Sequence, residues 1–220
     1  MSSQLVALYE KNQDCEMLKK LIEHFDIFKL IHKNCGNKFR NGCGSYLFDG
    51  ITYEYCASMY KKQKLLYEEA KKASDVLEIG VYMGHSLLIM LLANPTLKIT
   101  CIDISDEYSG PAIQTLETYF KNSINFIKGD STYILPTLTK KFDLFHIDGQ
   151  HDYSTINSDF SKCIGLRSSG IFTVVFDDYS PRILNDIECF LSKINMQASI
   201  TDVVVPNCSW TNARIIITVV

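Results

Sequence analysis

Long apolar runs are absent from this sequence. The most apolar segment, LLIMLLA from Leu87 to Ala93, is far shorter than the roughly 20 residues that a membrane-spanning helix needs. The start of the chain, MSSQLVALYEKNQDCEMLKK, becomes charged before any apolar stretch long enough to act as a secretion signal. We therefore expect a cytoplasmic protein without a membrane partner.

An excess of positive charge and closely paired cysteines are also missing. The 22 Lys and Arg residues are outnumbered by 25 Asp and Glu residues, which gives a formal net charge of −3. Because nucleic-acid-binding surfaces are basic, nucleic acid is not an expected partner. The eight cysteines are widely spread and form no C-x-x-C pair, so reduced, separately buried thiols are expected.

The pattern that is present indicates an α/β fold class. The chain has 220 residues, of which 46% are hydrophobic, enough for one sizeable domain with a small appendage. From about Ser74 onward, short apolar runs alternate with longer amphipathic runs, which is typical of βα units around a mostly parallel sheet. The turn-rich segment PNCSWTN joins the last two runs as a hairpin. Strands are predicted at Asp75–Ile79, Lys98–Ile102, Ile124–Lys128, Phe142–Ile147, Ile171–Phe176, Ser199–Val205 and Ala213–Val220.

Residues 1–73 are predicted to form a helical cap before a domain of residues 74–220. Helices are predicted at Gln4–Ile31 and Tyr53–Ala73, with the Gly-rich polar segment NCGNKFRNGCGS between them. Between the later strands, helices are predicted at Ser86–Asn94, Pro111–Lys121, Thr132–Leu138, Thr155–Ile164 and Pro181–Lys193.

The sharpest local motif is VLEIGVYMGHS, in which a strand ends at Glu78-x-Gly80-x-x-x-Gly84 and a helix begins. Glycines allow close backbone approaches, and the helix N-terminus offers free N–H groups to a carboxylate, so a nucleotide-like ligand with an anionic tail fits there. The spacing differs from the G-x-G-x-x-G of dinucleotide sites, which disfavours a nicotinamide-dependent oxidoreductase. Glu78 suits a ligand that carries an ammonium group.

Polar residues also end the second and third predicted strands. Asp103 lies where an α/β nucleotide site places an acid on the ribose hydroxyls. Asp130 and Ser131, after Gly129, suit contacts with an adenine edge. An acid at a strand end is often only a solvated loop residue, but three such features at one sheet edge favour a cofactor site.

These motifs resemble those of a known enzyme family. The stretch from Val76 to Tyr153 resembles class I S-adenosylmethionine-dependent methyltransferases, and within them the metal-dependent O-methyltransferases of the catechol and caffeoyl-coenzyme A kind. VLEIGVYMGHS is similar to their first motif, and INFIKGDSTYILPTLTKKFDLFHIDGQHDY to their third and fourth strands with the helix between. IDGQHDY and VVFDDY are closer to the bacterial group that includes macrocin O-methyltransferase.

The resemblance covers roughly residues 74–180 and implies a Rossmann-like class I methyltransferase fold. That fold has a seven-stranded, mostly parallel sheet with an antiparallel last strand and helices on both faces. The implied cofactor is S-adenosyl-L-methionine, whose methionine part would be held by Glu78, Gly80, Tyr82, Gly84 and Ser86. Asp103 would bind the ribose and Asp130 with Ser131 would flank the adenine, while Asp148 is expected at both the cofactor and the metal.

Three acids are expected to converge where the fourth and fifth strands end. Asp148, Asp177 and Asp178 would repel one another unless a cation sits among them. Oxygen ligation favours a hard divalent ion, Mg²⁺ or alternatively Mn²⁺ or Ca²⁺, and the resembling families bind such an ion at these positions. The alternative is that Asp177 and Asp178 cap the helix near Pro181 and that Asp148 starts a turn.

His151 is the candidate general base. It lies three residues after Asp148, where catechol-type enzymes carry a lysine and the macrocin-like group resembles this sequence in having histidine. With an ordinary pKa of about 6.5, histidine is suited to accepting a proton near neutrality. The alternative is a surface turn residue. His146, inside an apolar strand, is instead expected to be a core residue.

The predicted function is metal-dependent methyl transfer from S-adenosylmethionine to one hydroxyl of a small molecule with vicinal oxygens, with Asp148 and His151 as catalytic residues. The macrocin-like motifs favour a sugar or glycosylated metabolite as the acceptor, and a catechol or phenol is the alternative. A hypothesis of another class is an inactive cofactor-binding module that acts through its helical cap. A homodimer is a further possibility.

Overall fold

A seven-stranded sheet lies at the centre of the computed structural model, which describes residues 2–150, 152–168, 170–179, 181–204 and 211–219. The strand order is β3-β2-β1-β4-β5-β7-β6, and β7 runs antiparallel to both of its neighbours. The predicted mostly parallel sheet with a reversed last strand is confirmed. The strands are β1 (Asp75–Ile79), β2 (Lys98–Asp103), β3 (Ile124–Lys128), β4 (Leu144–Ile147), β5 (Ile171–Tyr179), β6 (Met196–Val204) and β7 (Thr211–Val219).

Helices cover both faces of the sheet. Single turns of 3-10 helix at Ala57–Met59 and Leu135–Thr137 adjoin two of them. The α-helices of the described ranges are α1 (Ser3–Glu10), α2 (Glu16–Glu23), α3 (Phe25–Asn34), α4 (Tyr60–Ala70), α5 (His85–Ala93), α6 (Ser109–Tyr119), α7 (Ser131–Ile134), α8 (Tyr153–Gly165) and α9 (Pro181–Lys193). Among them, none has the length and apolar character needed to cross a membrane.

The prediction of one continuous helix over Gln4–Ile31 is wrong. The chain forms three helices there, and α1 ends where the Asn12 side chain donates to the Leu8 carbonyl at 2.9 Å, in competition with the helical backbone. A second break at His24 lets α2 pack on α5 and α3 pack on α6. The bend follows from tertiary packing, which the apolar periodicity of the segment does not reveal.

The cap and the sheet share one continuous hydrophobic core. One cluster joins cap residues such as Leu18 and Phe28 to α5 and to one face of the sheet, and a second cluster under α8 and α9 fills the other face. Every residue of α5 is buried, because α2 and α4 cover the side of α5 that the sheet does not. Each buried leucine of this helix contributes about 1.5–3 kcal/mol to stability, so the cap is integral to the fold.

The register of the parallel strands sets the positions of the polar residues. Ile79 at the end of β1 is level with Ile102 of β2 and Ile147 of β4, and Ile147 is level with Phe176 of β5. The residues that follow in sequence are Gly80, Asp103, Asp148 and Asp177. The carboxyl ends of four strands therefore meet in one row, where ligands of open α/β sheets bind.

Candidate active site

A cleft of about 450 Å³ opens at this carboxyl edge, within the size range of small-molecule sites. The sheet side of its wall includes Gly80, Asp103, Asp130 and Asp148, at or shortly after the ends of β1 to β4. The cap supplies the opposite wall. Its cleft-lining residues are Arg40, Cys43, Gly44, Ser45 and Tyr46.

The backbone of the first motif requires glycine at two points. Gly80 has φ +86°, and a Cβ there would lie 2.0 Å from the Asp148 carbonyl oxygen, so only glycine lets β1 approach the loop after β4. Gly84 has φ +65° and is the N-cap of α5, next to Ser86, which is buried and lines the cleft. The free N–H groups of this helix end lie where a carboxylate tail is expected.

Asp103 holds the cofactor loop in place. Its Oδ2 accepts hydrogen bonds from the backbone N–H groups of Val81 and Tyr82 at 2.8 and 2.9 Å, and its Oδ1 accepts one from Ser105 at 2.9 Å. A carboxylate has about four acceptor positions, so capacity for a ribose hydroxyl remains. Asp103 lines the cleft, and its contact with a ribose stays a prediction.

Tyr82 links the loop to the cap. It takes a left-handed backbone conformation with φ +48°, which is uncommon outside glycine, and its hydroxyl accepts a hydrogen bond from the Arg40 backbone N–H at 2.8 Å. Burial raises the pKa of Tyr82 to about 12, so the phenol stays protonated. The strained loop is thus held from both sides, by Asp103 and by Arg40.

The predicted adenine-side pair, Asp130 and Ser131, both line the cleft. Asp130 is the N-cap of α7 and accepts hydrogen bonds from both the N–H and the hydroxyl of Thr132. Ser131 is buried and donates to Asp159 Oδ1 at 2.8 Å. Burial raises the pKa of Asp159 to about 6. The Ser131 hydroxyl is therefore already engaged behind the cleft wall.

Glu78 has a different environment from the one expected. It is fully buried and is not among the residues that line the cleft; its Oε1 accepts a hydrogen bond from His146 Nδ1 at 2.8 Å. The Tyr46 hydroxyl lies 2.8 Å from His146 Nε2, so a chain of polar groups runs from β1 through β4 to the cap. A contact between Glu78 and the amine of the cofactor stays a prediction. Glu78 Oε2 has no hydrogen-bond partner among the described residues, so this oxygen is the one that could accept from the amine.

His146 is buried, as expected, but it is polar and partnered. Burial alone would lower its pKa, whereas the hydrogen bond to Glu78 and the charges of Glu78, Asp148 and Asp177 outweigh burial and raise the pKa above its usual range. The His146–Glu78 contact is therefore a buried ion pair when His146 is protonated.

His85, at the start of α5, fastens the cap to the cofactor loop. The Tyr53 hydroxyl donates to the Phe28 carbonyl, so His85 Nε2–H donates to the Tyr53 oxygen at 2.8 Å and the Ser45 hydroxyl donates to Nδ1 at 2.6 Å. Burial lowers the pKa of His85 to about 3, which keeps the ring neutral near pH 7. Both ring nitrogens are used within the fold, so His85 is a structural link.

The predicted metal ligands are only partly brought together. Asp148 lines the cleft, but Asp177 Oδ2 is 2.8 Å from the Lys62 ammonium in a buried ion pair. The side chain of Asp178 and all of His151 lie outside the described residues. Within the described ranges, no three His, Cys, Asp or Glu side chains are grouped as a metal site. Since an ammonium already neutralises Asp177, the described residues do not fit a divalent ion there.

The segment that supplies the strand ends around the cleft is similar to a known protein family. Residues 77–179, from β1 to the end of β5, match the profile of a methyltransferase domain family. These residues are therefore similar to a methyltransferase domain. The match covers the first motif, the Asp103 and Asp130 loops and the IDGQHDY segment, and it confirms the resemblance to methyltransferases that these motifs carry.

This chain is also similar to proteins of known structure or name. An O-methyltransferase from Aspergillus hancockii is 33% identical over 90 residues, which are 38% of this chain and 34% of the relative, so this chain spans about a third of that protein. The Streptomyces achromogenes O-methyltransferase involved in tomaymycin synthesis, in complex with S-adenosylmethionine, is 22% identical (TM-score 0.59, 72% of this chain and 79% of that chain). A Bacillus cereus O-methyltransferase in complex with S-adenosylhomocysteine is 14% identical (TM-score 0.64, 88% and 90%). At these identities the two structures show that the fold is shared.

Sequence reasoning missed the contributions of the cap. The cleft is lined by Arg40, Ser45 and Tyr46, and Asp177 is paired with Lys62, although the segments that carry these four residues have no recognisable motif. For Lys62 a weak signal exists, because it lies four residues before the fully buried Leu66 and hence on the buried face of α4. Its exposed neighbours Lys61 and Lys64 conceal this signal in the composition.

Proposed function

We propose that this chain is an S-adenosylmethionine-dependent O-methyltransferase that acts on a hydroxyl of a small molecule. The observation that carries the proposal is the cleft itself, where the Gly80-to-Ser86 loop, Asp103 and Asp130 surround one space inside a methyltransferase domain. Relatives with the same fold are named O-methyltransferases and bind S-adenosylmethionine or S-adenosylhomocysteine.

The chemistry requires placement more than covalent assistance. The acceptor oxygen must lie in line with the S–CH₃ bond of the sulfonium and must lose its proton as the methyl group moves. The cleft holds the cofactor along the ends of β1 to β3 and leaves the space near Asp148 and Tyr46 for an acceptor. His151, three residues after Asp148 in sequence, is the proposed base.

The cap is the proposed acceptor wall. Arg40 and residues 43–46 line the cleft opposite the sheet, so they meet whatever molecule approaches the methyl group. A vicinal diol of a sugar or a glycosylated metabolite is the favoured acceptor, on the likeness of IDGQHDY and VVFDDY to the macrocin group. A catechol or phenol is the alternative. The divalent metal predicted with these motifs is left out of the proposal, because Lys62 holds Asp177.

Two experiments test the proposed function. Calorimetry with S-adenosylhomocysteine measures cofactor binding, and Asp103→Asn is the informative variant, with the exposed Asp106→Asn as the matched control. A labelled-methyl screen over nucleotide sugars, glycosides, catechols and a structured RNA then identifies the acceptor class. Labelling of RNA alone, or binding of NAD without binding of S-adenosylhomocysteine, would contradict the proposal.

A further inference from the structure

We propose that Lys62 of the cap is the resident cation of this active site, at the carboxylate where the sequence predicts a divalent ion, and that methyl transfer here does not require a metal. The part of this inference that concerns methyl transfer rests on the proposed function. The part that concerns cation binding does not, because cation binding is measured without turnover. The positive charge is part of the chain itself, carried to the catalytic edge by α4.

The ion pair is built into the fold. Lys62 Nζ lies 2.8 Å from Asp177 Oδ2, and the two side chains are only 10% and 7% exposed. The residues are 115 positions apart in sequence, so the contact exists only because the cap packs on the sheet. Burial alone would raise the pKa of Asp177, but the charge and hydrogen bond of Lys62, with His146 and Asn212, lower it, so the carboxylate stays ionised.

Neighbouring side chains fix the orientation of the Lys62 side chain. The ammonium lies 4.4 Å from the centre of the Tyr46 ring, within the range of a cation–π contact. Next to Lys62, the fully buried Gln63 donates to the Tyr46 carbonyl at 2.6 Å and accepts from the Tyr55 hydroxyl at 2.7 Å. The loop that lines the cleft and the helix that carries the cation are thus one hydrogen-bonded unit.

A divalent ion at Asp177 is incompatible with this arrangement. Mg²⁺ binds carboxylate oxygens at about 2.0–2.1 Å and demands near-octahedral geometry. On Asp177 Oδ2 it would lie no farther than about 5 Å from the ammonium, in a buried position where like charges repel strongly and few waters screen them. Asp177 Oδ1 makes no hydrogen bond within the described ranges, but it shares the same carboxylate and the same neighbouring ammonium.

Lys62 acts as a positioning residue. It neutralises Asp177 beside Asp148, which removes the repulsion that would otherwise call for a metal ion, and it holds Tyr46 at the wall of the cleft. Arginine preserves the charge and can satisfy a carboxylate, whereas alanine leaves Asp177 ionised and unpaired. The two substitutions therefore separate the charge of Lys62 from its bulk.

The test titrates Mn²⁺ into the protein saturated with S-adenosylhomocysteine and follows the free-ion spin-resonance signal. The wild type, Lys62→Arg and the exposed-neighbour control Lys61→Ala are expected to bind no Mn²⁺, and Lys62→Ala is expected to gain a site that Lys62→Ala/Asp177→Asn loses. Wild-type binding that Asp177→Asn abolishes would overturn the proposal. Folded Lys62→Ala that gains no site would also overturn it, because other residues would then exclude the ion.

The wild type keeps the test decisive if Lys62→Ala does not fold. Its methyl transfer, once an acceptor is found, is expected to be unchanged in excess chelator, and a tenfold loss that Mg²⁺ restores would overturn the proposal. Folding is followed by far-ultraviolet circular dichroism, and calorimetry with S-adenosylhomocysteine reports separately on the proposed function. Failure of cofactor binding would therefore be distinguished from the presence of a metal.

Discussion

The two halves of the cleft are built in different ways. On the side proposed for the cofactor, Asp103 accepts a hydrogen bond from Val81 of the neighbouring loop, and Asp130 accepts one from Thr132 two residues later. On the acceptor side, Asp177 and His146 find their partners, Lys62 and Tyr46, in the cap more than 90 residues earlier in the chain. The first half thus rests mainly on hydrogen bonds within the sheet edge, with Arg40 of the cap bonded to Tyr82, whereas the polar partners in the second half come from the cap.

The largest expected effect concerns the cofactor side. Gly80→Ala places a Cβ 2.0 Å from a backbone oxygen that cannot move freely, at a φ of +86°. We expect a loss of more than about 3 kcal/mol in unfolding free energy and no detectable S-adenosylhomocysteine binding. Chemical denaturation and calorimetry measure both. Gly165→Ala, at the end of α8 with no atom near the new Cβ, is the control and should leave binding unchanged.

The next largest effect is expected from the loss of the buried contact between His146 and Glu78. His146→Ala leaves Glu78 buried and without its hydrogen-bond donor, which should cost about 3–5 kcal/mol in unfolding free energy. The double variant Glu78→Gln/His146→Ala removes the buried charge as well, so denaturation should show it to be more stable than His146→Ala. If the double variant is the less stable of the two, Glu78 is not an uncompensated charge in the single variant.

A smaller effect is expected from a substitution of Asp103, and it concerns the affinity for S-adenosylhomocysteine. Asp103→Asn removes the charge and one of the acceptor oxygens of a side chain that holds Val81 and Tyr82 and is proposed to bind the ribose. We expect about 10- to 100-fold weaker binding of S-adenosylhomocysteine, equivalent to about 1.4–2.7 kcal/mol. Asp106→Asn, three residues later and paired with Lys128 at the surface, should bind like the wild type. Equal affinities of the two variants would remove Asp103 from the cofactor site.

The effect that is smallest per pH unit concerns His85, which fastens the cap to the start of α5. His85 has its pKa lowered to about 3 by burial, so the unfolded chain binds its proton first. This contribution to stability is complete above about pH 6.5 and is lost as the pH falls from 6.5 towards 3, by up to about 1.4 kcal/mol per pH unit.

Unfolding free energies between pH 7 and 4 measure this slope. His85→Gln should flatten it, and the exposed His24→Gln should leave it unchanged. A slope that is identical in the wild type and in His85→Gln would mean that other groups govern the acid sensitivity.

The sequence predicts local features of the cleft better than contacts between distant segments. The strands and the row Gly80, Asp103, Asp130 and Asp148 could be predicted, because strand ends, turn glycines and apolar periodicity are local features. The partnership of Glu78 with His146 could not, since it depends on the pairing of β1 with β4. The ion pair between Lys62 and Asp177 could not be predicted either, because no local sequence pattern indicates where a cap helix packs.

Calorimetry with S-adenosylhomocysteine in excess chelator measures whether this cleft holds the methyl donor. We expect one site per chain in the wild type, weakened by Asp103→Asn and unaffected by Asp106→Asn, with an affinity that added Mg²⁺ does not change. The absence of binding, or an equal affinity in Asp103→Asn, would contradict the claim that this cleft holds the methyl donor.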